Sequence, residues 1–220
     1  MSEQLQSLMA KKEDLHPELK MFRTTIGDGI PAIQHPLLYD LFYSEQMNAL
    51  INYRYQHKKD LIQKSIDKKD LSTYIWLHER PYRINAFVFF TKHYEVKDKD
   101  YWENLKDIWV DSENIWQNKK LFKKLLSSKR KDKEFFMDET EIEFFDKLPD
   151  EFTIYRGYHE GKNKDGYSYT LDKKIAEKFS IRFTDSKLYV PNVKEIVAKK
   201  KDVFAYINSR EEKEIIYLIK

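Results

Sequence analysis

The 220-residue chain contains no cysteine. Disulfide staples, zinc–thiolate sites, iron–sulfur clusters and thiol nucleophiles are therefore excluded. Glycine is scarce, with five residues at 27, 29, 157, 161 and 166. There is no Gly-x-Gly-x-x-Gly and no Walker lysine, so a nucleotide held on a glycine-rich phosphate loop is not expected. The six histidines, at 16, 35, 57, 78, 93 and 159, form no His-x-x-x-His pair, and no metal site is expected. No apolar run approaches the roughly 18–20 residues of a membrane-crossing helix, so no membrane partner is expected. The opening residues Met1-Ser-Glu-Gln-Leu-Gln lack the basic and apolar regions of a signal peptide. The expected compartment is the cytoplasm of the producing cell or of a host cell. Neither sign of charge dominates, with 40 Lys and Arg against 37 Asp and Glu, so net charge alone does not predict a nucleic-acid binder.

What is present supports a folded core. Aromatic residues make up 15% of the chain, and each can bury a large surface. The length suits one large domain or two small ones. Between Gly29 and Gly157 there is no glycine, and the stretch is rich in Lys, Leu, Glu and Asp, a composition that favours helices. The first ~25 residues read as a polar helix or a mobile arm, and 28–31 as a loop. A long helical pattern starts at Pro36 with Leu37, Leu38, Leu41 and Phe42, then Met47, Leu50 and Ile51. Further helices are expected from Asp70, interrupted at Pro81, then through Ile84, Phe87, Val88 and Thr91. Others follow from Asp98 or Asp100, from 116 to 126, and at 139–148 behind an Asp138–Glu141 capping pair.

After Thr153 the texture changes to short β-rich runs. Strands are expected at 152–156, 167–171, 188–190, 203–207 and 212–219, with a short helix capped by Asp172. The fold class is α+β, with a helical lobe at 1–148 packed on a small β-rich core at 149–220.

Three pieces of that core carry candidate chemistry. Ile154-Tyr155-Arg156-Gly157 places an arginine at the end of a strand. Gly166-Tyr167-Ser168-Tyr169-Thr170 puts two hydroxyls two residues apart, on one strand face. Arg210-Glu211-Glu212-Lys213-Glu214 does the same for two carboxylates. Each piece alone has an ordinary reading as strand or surface sequence. Together they form a polar cluster that packing alone would not select.

In order and spacing the three pieces resemble the mono-ADP-ribosyltransferase superfamily, in its arginine–serine–glutamate, toxin-like class, and within it small phage and bacterial members. The resemblance covers about residues 148–220. It extends to the helix after the serine strand, with Ala176 and Phe179-Ser180 where the family has Ala and Phe-Ala. Tyr169 at the middle of the Ser-x-Thr motif and threonine at its third position depart from the family pattern. The resemblance implies a split β-sandwich that binds NAD as substrate, without a metal. It implies transfer of ADP-ribose to a protein side chain, an arginine on the Glu-x-Glu analogy, with a host protein as partner and a nucleic-acid acceptor as the lesser alternative. NAD glycohydrolysis and a catalytically inactive binding module are the other readings.

The implied roles follow the chemistry. Breaking the nicotinamide–ribose bond builds positive charge on the ribose, and a carboxylate beneath it stabilises that charge. Glu214 takes this part, Glu212 orients or deprotonates the acceptor, and Ser168 positions Glu214. Arg156, Gly157, Ser168 and Thr170 form the NAD-binding set, with the Arg156 fork on phosphate or ribose oxygens. Tyr155 and Tyr169 pack either near the nicotinamide or into the core. His159 reads as a pocket-lining residue or an ordinary loop histidine. Trp102, Trp109 and Trp116 read as helix-face core, and the lysine run at 119–124 with Lys129-Arg130-Lys131 as a solvated helix face or a polyanion site.

Overall fold

The computed structural model describes residues 8, 10–113, 115–160, 163–182 and 190–218. The chain divides into two compact units, residues 1–100 and 101–220. The boundary expected at 148 thus falls inside the second unit, and the helices from 101 to 146 belong with the C-terminal sheet. The class is α+β.

The first unit opens with a one-turn helix α1 (Pro17–Lys20) and a three-stranded antiparallel sheet: β1 (Arg23–Ile26), β2 (Ile30–His35) and β3 (Leu38–Leu41). The strands replace the first part of the helix expected from Pro36, whose later part is helical from Asn48; of the polar helix or arm expected over the first ~25 residues, 1–7 and 9 lie outside the described residues, while 17–20 form α1 and 23–25 enter β1. Gly27 and Gly29 adopt φ of 50° and 91°, left-handed backbone that glycine enters at little cost, and so close the first hairpin. Pro36 and Leu37 make the second turn, between the paired His35 and Leu38, with the Leu37 N–H donating to His35 Nδ1 at 3.0 Å. Proline fixes φ near −65°, which suits the first central position of a β-turn as well as the first turn of a helix. Local pattern could not choose between them. Leu15, Leu19, Ile33, Leu38, Ile51 and Tyr55 share the core beneath this sheet.

Helix α2 (Asn48–Asp67) follows, then α3 (Leu71–Trp76), whose N-cap Asp70 accepts from the Thr73 N–H at 2.9 Å. Pro81 lies in a single 3₁₀ turn (Arg80–Tyr82) leading into α4 (Arg83–His93). Helix α5 (Asp98–Asp111) crosses the unit boundary. From Tyr101 onward it buries Tyr101, Trp102, Leu105, Ile108 and Trp109, a helical stripe.

In the second unit, α6 (Lys119–Leu126) buries Phe122, Leu125 and Leu126. Helix α7 (Glu139–Asp146) starts at the expected capping box, in which Asp138 accepts from the Glu141 N–H at 3.0 Å and the Glu141 carboxylate accepts from the Asp138 N–H at 3.0 Å. The sheet comprises β4 (Glu151–His159), β5 (Ser168–Thr170), β6 (Pro191–Lys199), β7 (Val203–Ile207) and β8 (Glu214–Tyr217). It is antiparallel throughout, in the order β6-β4-β5-β8-β7. Helix α8 (Lys173–Ile181) is capped by Asp172. Of the strand expected at 188–190, residues 188 and 189 lie outside the described residues; the observed strand begins at Pro191. The strand expected at 212–219 is shorter and starts at Glu214.

One sheet face buries Ile154, Tyr169, Ala198, Tyr206 and Ile215, with Phe145 and Leu148 packed against them. The other face carries Gly157 under α8, so close that a Cβ there would lie 2.0 Å from the Ala176 carbonyl oxygen.

Candidate functional site

The second face of the sheet gathers the serine and glutamate motifs. Strands β5 and β8 pair with Ser168 opposite Ile216 and Thr170 opposite Glu214, so Ser168, Thr170 and Glu214 project to the same side. Glu214 is 4% exposed, a rare environment for a carboxyl unless it is hydrogen-bonded. The Trp109 indole Nε1–H donates to its Oε1 at 3.0 Å, and the Ser168 side chain, on the same strand face, lies near enough to favour its charged form. Burial pushes the Glu214 carboxyl above its ordinary range, while Ser168 and Trp109 pull it back. The opposition places a carboxyl under tension between solvation and hydrogen bonding, a mark of sites that do chemistry.

Trp109 is the residue that sequence reasoning placed elsewhere. Its seven-residue spacing from Trp102 and Trp116 reads as core, and it is indeed fully buried. A buried indole N–H needs an acceptor, which the sequence signals, but no pattern in the chain names an acceptor 105 positions away.

Arg156 takes a part different from the expected fork on NAD oxygens. Because Gly157 faces α8, alternation starts Arg156 from the opposite sheet face. Strands β4 and β5 pair only at Tyr155 and Thr170, and the guanidinium fills the opening beyond that pair. Nη1 donates to the Ser168 carbonyl at 2.6 Å, and Nε and Nη2 donate to the Asn163 carbonyl at 3.2 and 2.9 Å. Asn163 in turn accepts the His159 N–H on Oδ1 at 2.9 Å. Three of the five guanidinium donors are thereby spent on the chain's own carbonyls. Arg156 positions the serine strand and its entry loop. Burial lowers its pKa, against the fields of Tyr169 and Glu214, which raise it.

Gly157 permits the close approach of α8, which is a packing reason for a glycine there. Thr170 is also structurally engaged: its hydroxyl donates to the Glu212 carbonyl at 2.7 Å and accepts from the Asp172 N–H at 3.0 Å. It ties the glutamate turn to the start of α8. Tyr169 lies in the apolar cluster on the other face, 2% exposed, its hydroxyl without a hydrogen-bond partner and its pKa pushed up to about 12 by burial. Of its two readings the structure selects the core. Tyr155 is half-buried on the Thr170 side, with Lys173 Nζ 6.0 Å from its ring centre. His159 is buried at the end of β4.

Glu212 does not share a strand face with Glu214. It sits in the turn before β8, between Glu211 at φ 57° and Lys213 at φ 47°. Left-handed backbone at two non-glycine residues breaks the two-residue alternation on which the shared face depended. The turn is held by Asn208, whose carbonyl accepts from the Glu211 N–H at 2.9 Å and whose Oδ1 accepts from the Lys213 N–H at 3.1 Å. The Asn208 N–H donates to buried Glu141 at 2.8 Å, and Lys106 Nζ lies 2.6 Å from the other oxygen of Glu141. Glu212 itself pairs with Arg210 at 3.0 Å, and Arg210 also donates to the Val110 carbonyl at 2.8 Å. The two carboxylates remain near enough for the Glu212 charge to raise the Glu214 pKa.

No group of three or more His, Asp or Glu that could hold a metal is found among the described residues. No protein-family model matches the chain, and no curated protein or solved structure matches it significantly.

Proposed function

We propose that the chain is a mono-ADP-ribosyltransferase that breaks the nicotinamide–ribose bond of NAD and passes the ADP-ribose to a protein side chain. The observation that carries this reading is Glu214, a buried carboxyl held by the Trp109 indole and sharing a sheet face with Ser168, with Arg156 bracing the serine strand. A carboxylate fixed in this way cannot turn away from positive charge developing above it, and such fixed opposite charge is worth most where water is excluded. In the reaction the bond from ribose C1′ to the nicotinamide nitrogen breaks, and nicotinamide leaves with the electron pair. An acceptor nitrogen bonds to C1′ and gives up a proton. An arginine acceptor suits Glu212, a carboxylate already bonded to a guanidinium in Arg210. A host protein is the proposed partner, the fold a transferase-type split β-sandwich, and the setting a phage or bacterial effector.

The same Arg210–Glu212 pair favours a second reading, NAD glycohydrolase: with Glu212 engaged internally, water becomes the acceptor. A third, an inactive binding module of this fold, is opposed by the presence of Ser168 and buried Glu214 on one sheet face. The decisive experiment incubates the protein with a cell lysate and NAD labelled in the ADP-ribose part, and follows nicotinamide release and protein labelling together. Labelled protein supports transfer. Nicotinamide without labelling supports hydrolysis. Neither product from the folded protein overturns both.

A further inference from the structure

The capping box of α7 asks for one oxygen of Glu141, and the protein uses both. Oε2 accepts from the Asp138 N–H at 3.0 Å, which closes the box, and from Lys106 Nζ at 2.6 Å. Oε1 accepts from the Asn208 N–H at 2.8 Å, 67 positions further along the chain. The Glu141 residue is only 2% exposed, and the Lys106 side chain 14%. Burial lowers the Lys106 pKa, and Glu141 and Asp138 together outweigh it and raise it above its ordinary value. Two opposite charges are thus drawn largely out of water, at a cost that a well-packed apolar pair would avoid. Capping α7 does not require this, since both hydrogen bonds of a capping box join groups of one helix end.

The buried carboxylate holds the end of β7. Asn208 follows Ile207 directly, and Ile207 pairs with Glu214. The carbonyl and side chain of Asn208 then hold the N–H groups of Glu211 and Lys213, the two residues whose left-handed backbone costs free energy. A turn strained twice keeps its shape only where its surroundings over-determine it. The two site carboxylates depend on this turn to different degrees. Glu214 lies within the sheet, paired with Thr170 on one side and Ile207 on the other, and bonded to Trp109. Glu212 precedes the ladder, which begins at Glu214. Its backbone is placed by the turn, with the Thr170 hydroxyl on its carbonyl.

We propose that Glu141, with Lys106 behind it, is a positioning residue for the acceptor half of the reaction, fixing the Asn208 turn so that Glu212 meets an incoming guanidinium in preference to water. The inference rests on the transferase reading and adds to it the residues that decide between transfer and hydrolysis. Glu141 acts through Asn208, from α7. Without this anchor Glu214 is still held by its two neighbouring strands and Trp109, so the nicotinamide–ribose bond still breaks. What suffers is the orientation of the acceptor, where a displacement of about 1 Å can cost about 100-fold.

The test compares wild type with E141Q, using NAD labelled in the ADP-ribose part and agmatine as a small guanidine acceptor. Glutamine nearly keeps the volume but offers one acceptor oxygen to the three donors from Asp138, Lys106 and Asn208. Nicotinamide release without agmatine reads hydrolysis, and labelled agmatine reads transfer, both well below the melting temperature of each protein. In E141Q transfer should fall about 10- to 100-fold while hydrolysis stays within about threefold. If Glu141 only stabilised the fold, the melting temperature would drop and the ratio of transfer to hydrolysis would not. A ratio that holds or rises in E141Q overturns the inference alone. K106M leaves both N–H contacts of Glu141 in place and removes the ammonium behind them. It is judged on the same ratio, and decides the matter where E141Q does not fold. A wild type that labels no agmatine overturns the transferase reading, and this inference with it.

Discussion

Replacing Glu214 with glutamine removes a charge with almost no change in volume, and the two consequences run in opposite directions. On the proposed transferase reading, loss of the Glu214 charge should lower nicotinamide release at least ~100-fold, since one electrostatic contact of this kind is worth roughly 3–4 kcal/mol. Stability should rise at neutral pH. A carboxyl whose folded-state pKa is raised by burial binds its proton more tightly in the fold than in the unfolded chain. The fold is favoured by this group below the unfolded value near 4.3, and loses that advantage as pH rises through the folded value. The glutamine variant should therefore melt higher than the wild type at pH 7.5, with the gap closing toward pH 4. Thermal melts at several pH values together with a nicotinamide assay check both halves. A variant that keeps its turnover, or melts lower at pH 7.5, contradicts the assignment.

Trp109 acts through Glu214, and its test must separate position from packing. Trp109→Phe keeps a ring and removes the N–H donor. Without that donor the Glu214 pKa should move further up. The acid limb of the activity profile should shift to higher pH, and activity lost at pH 7 should partly return at pH 8.5. A uniform loss at all pH values would mean that the ring only fills space.

At the scale of elements, the site is an opening between β4 and β5 closed by one side chain. Arg156→Lys keeps the charge but cannot span the Ser168 and Asn163 carbonyls at once. NAD cleavage should fall, and proteolysis should increase at 163–167. Equal proteolytic resistance of wild type and variant would remove the bracing role. Gly157→Ala tests the packing on the far side of the same strand. The added methyl would meet the α8 backbone at Ala176 and Ser180, which cannot swing aside as a side chain can. A loss of about 1–3 kcal/mol is expected, as for overpacked cores, read as a lower urea midpoint.

Across the whole molecule, the two units should answer acid differently. In the first, burial holds the His35 pKa down at about 4 and also lowers that of His78. Their neutral forms support the fold above the unfolded value near 6.5. That support is lost as pH falls through the window toward 4, because the unfolded chain takes up the protons first. In the second unit Glu214 has the reverse sign over the same range, and Asp107, its pKa also raised by partial desolvation, acts in the same direction. Lowering the pH from 7.5 to 5.5 should make residues 1–100 more susceptible to protease in urea relative to residues 101–220. Peptide mapping of the fragments reads this directly, and parallel changes in both units would refute it.

Some features of this protein follow from the sequence alone. The Asp138–Glu141 capping box, the Asp70 and Asp172 caps, the stripe of α5 and strand β7 are local patterns, set by hydrogen-bond geometry and periodicity within a few residues. That Ser168 and Thr170 share a strand face was legible for the same reason, by alternation, whereas it is the pairing of β5 with β8 that sets Glu214 beside them. Only the tertiary structure decided the rest. The N-terminal hairpins depend on which apolar residues find partners in space, and Pro36 satisfies a turn and a helix start equally well. Left-handed backbone at Glu211 and Lys213 takes Glu212 off the strand face, and no residue type in that run announces it. Trp109 reaches Glu214, and Arg156 turns to the Ser168 carbonyl, because a buried polar group must find whichever partner the fold brings within 3 Å or so. Sequence specifies the need for such a partner, and three-dimensional packing specifies which residue meets it.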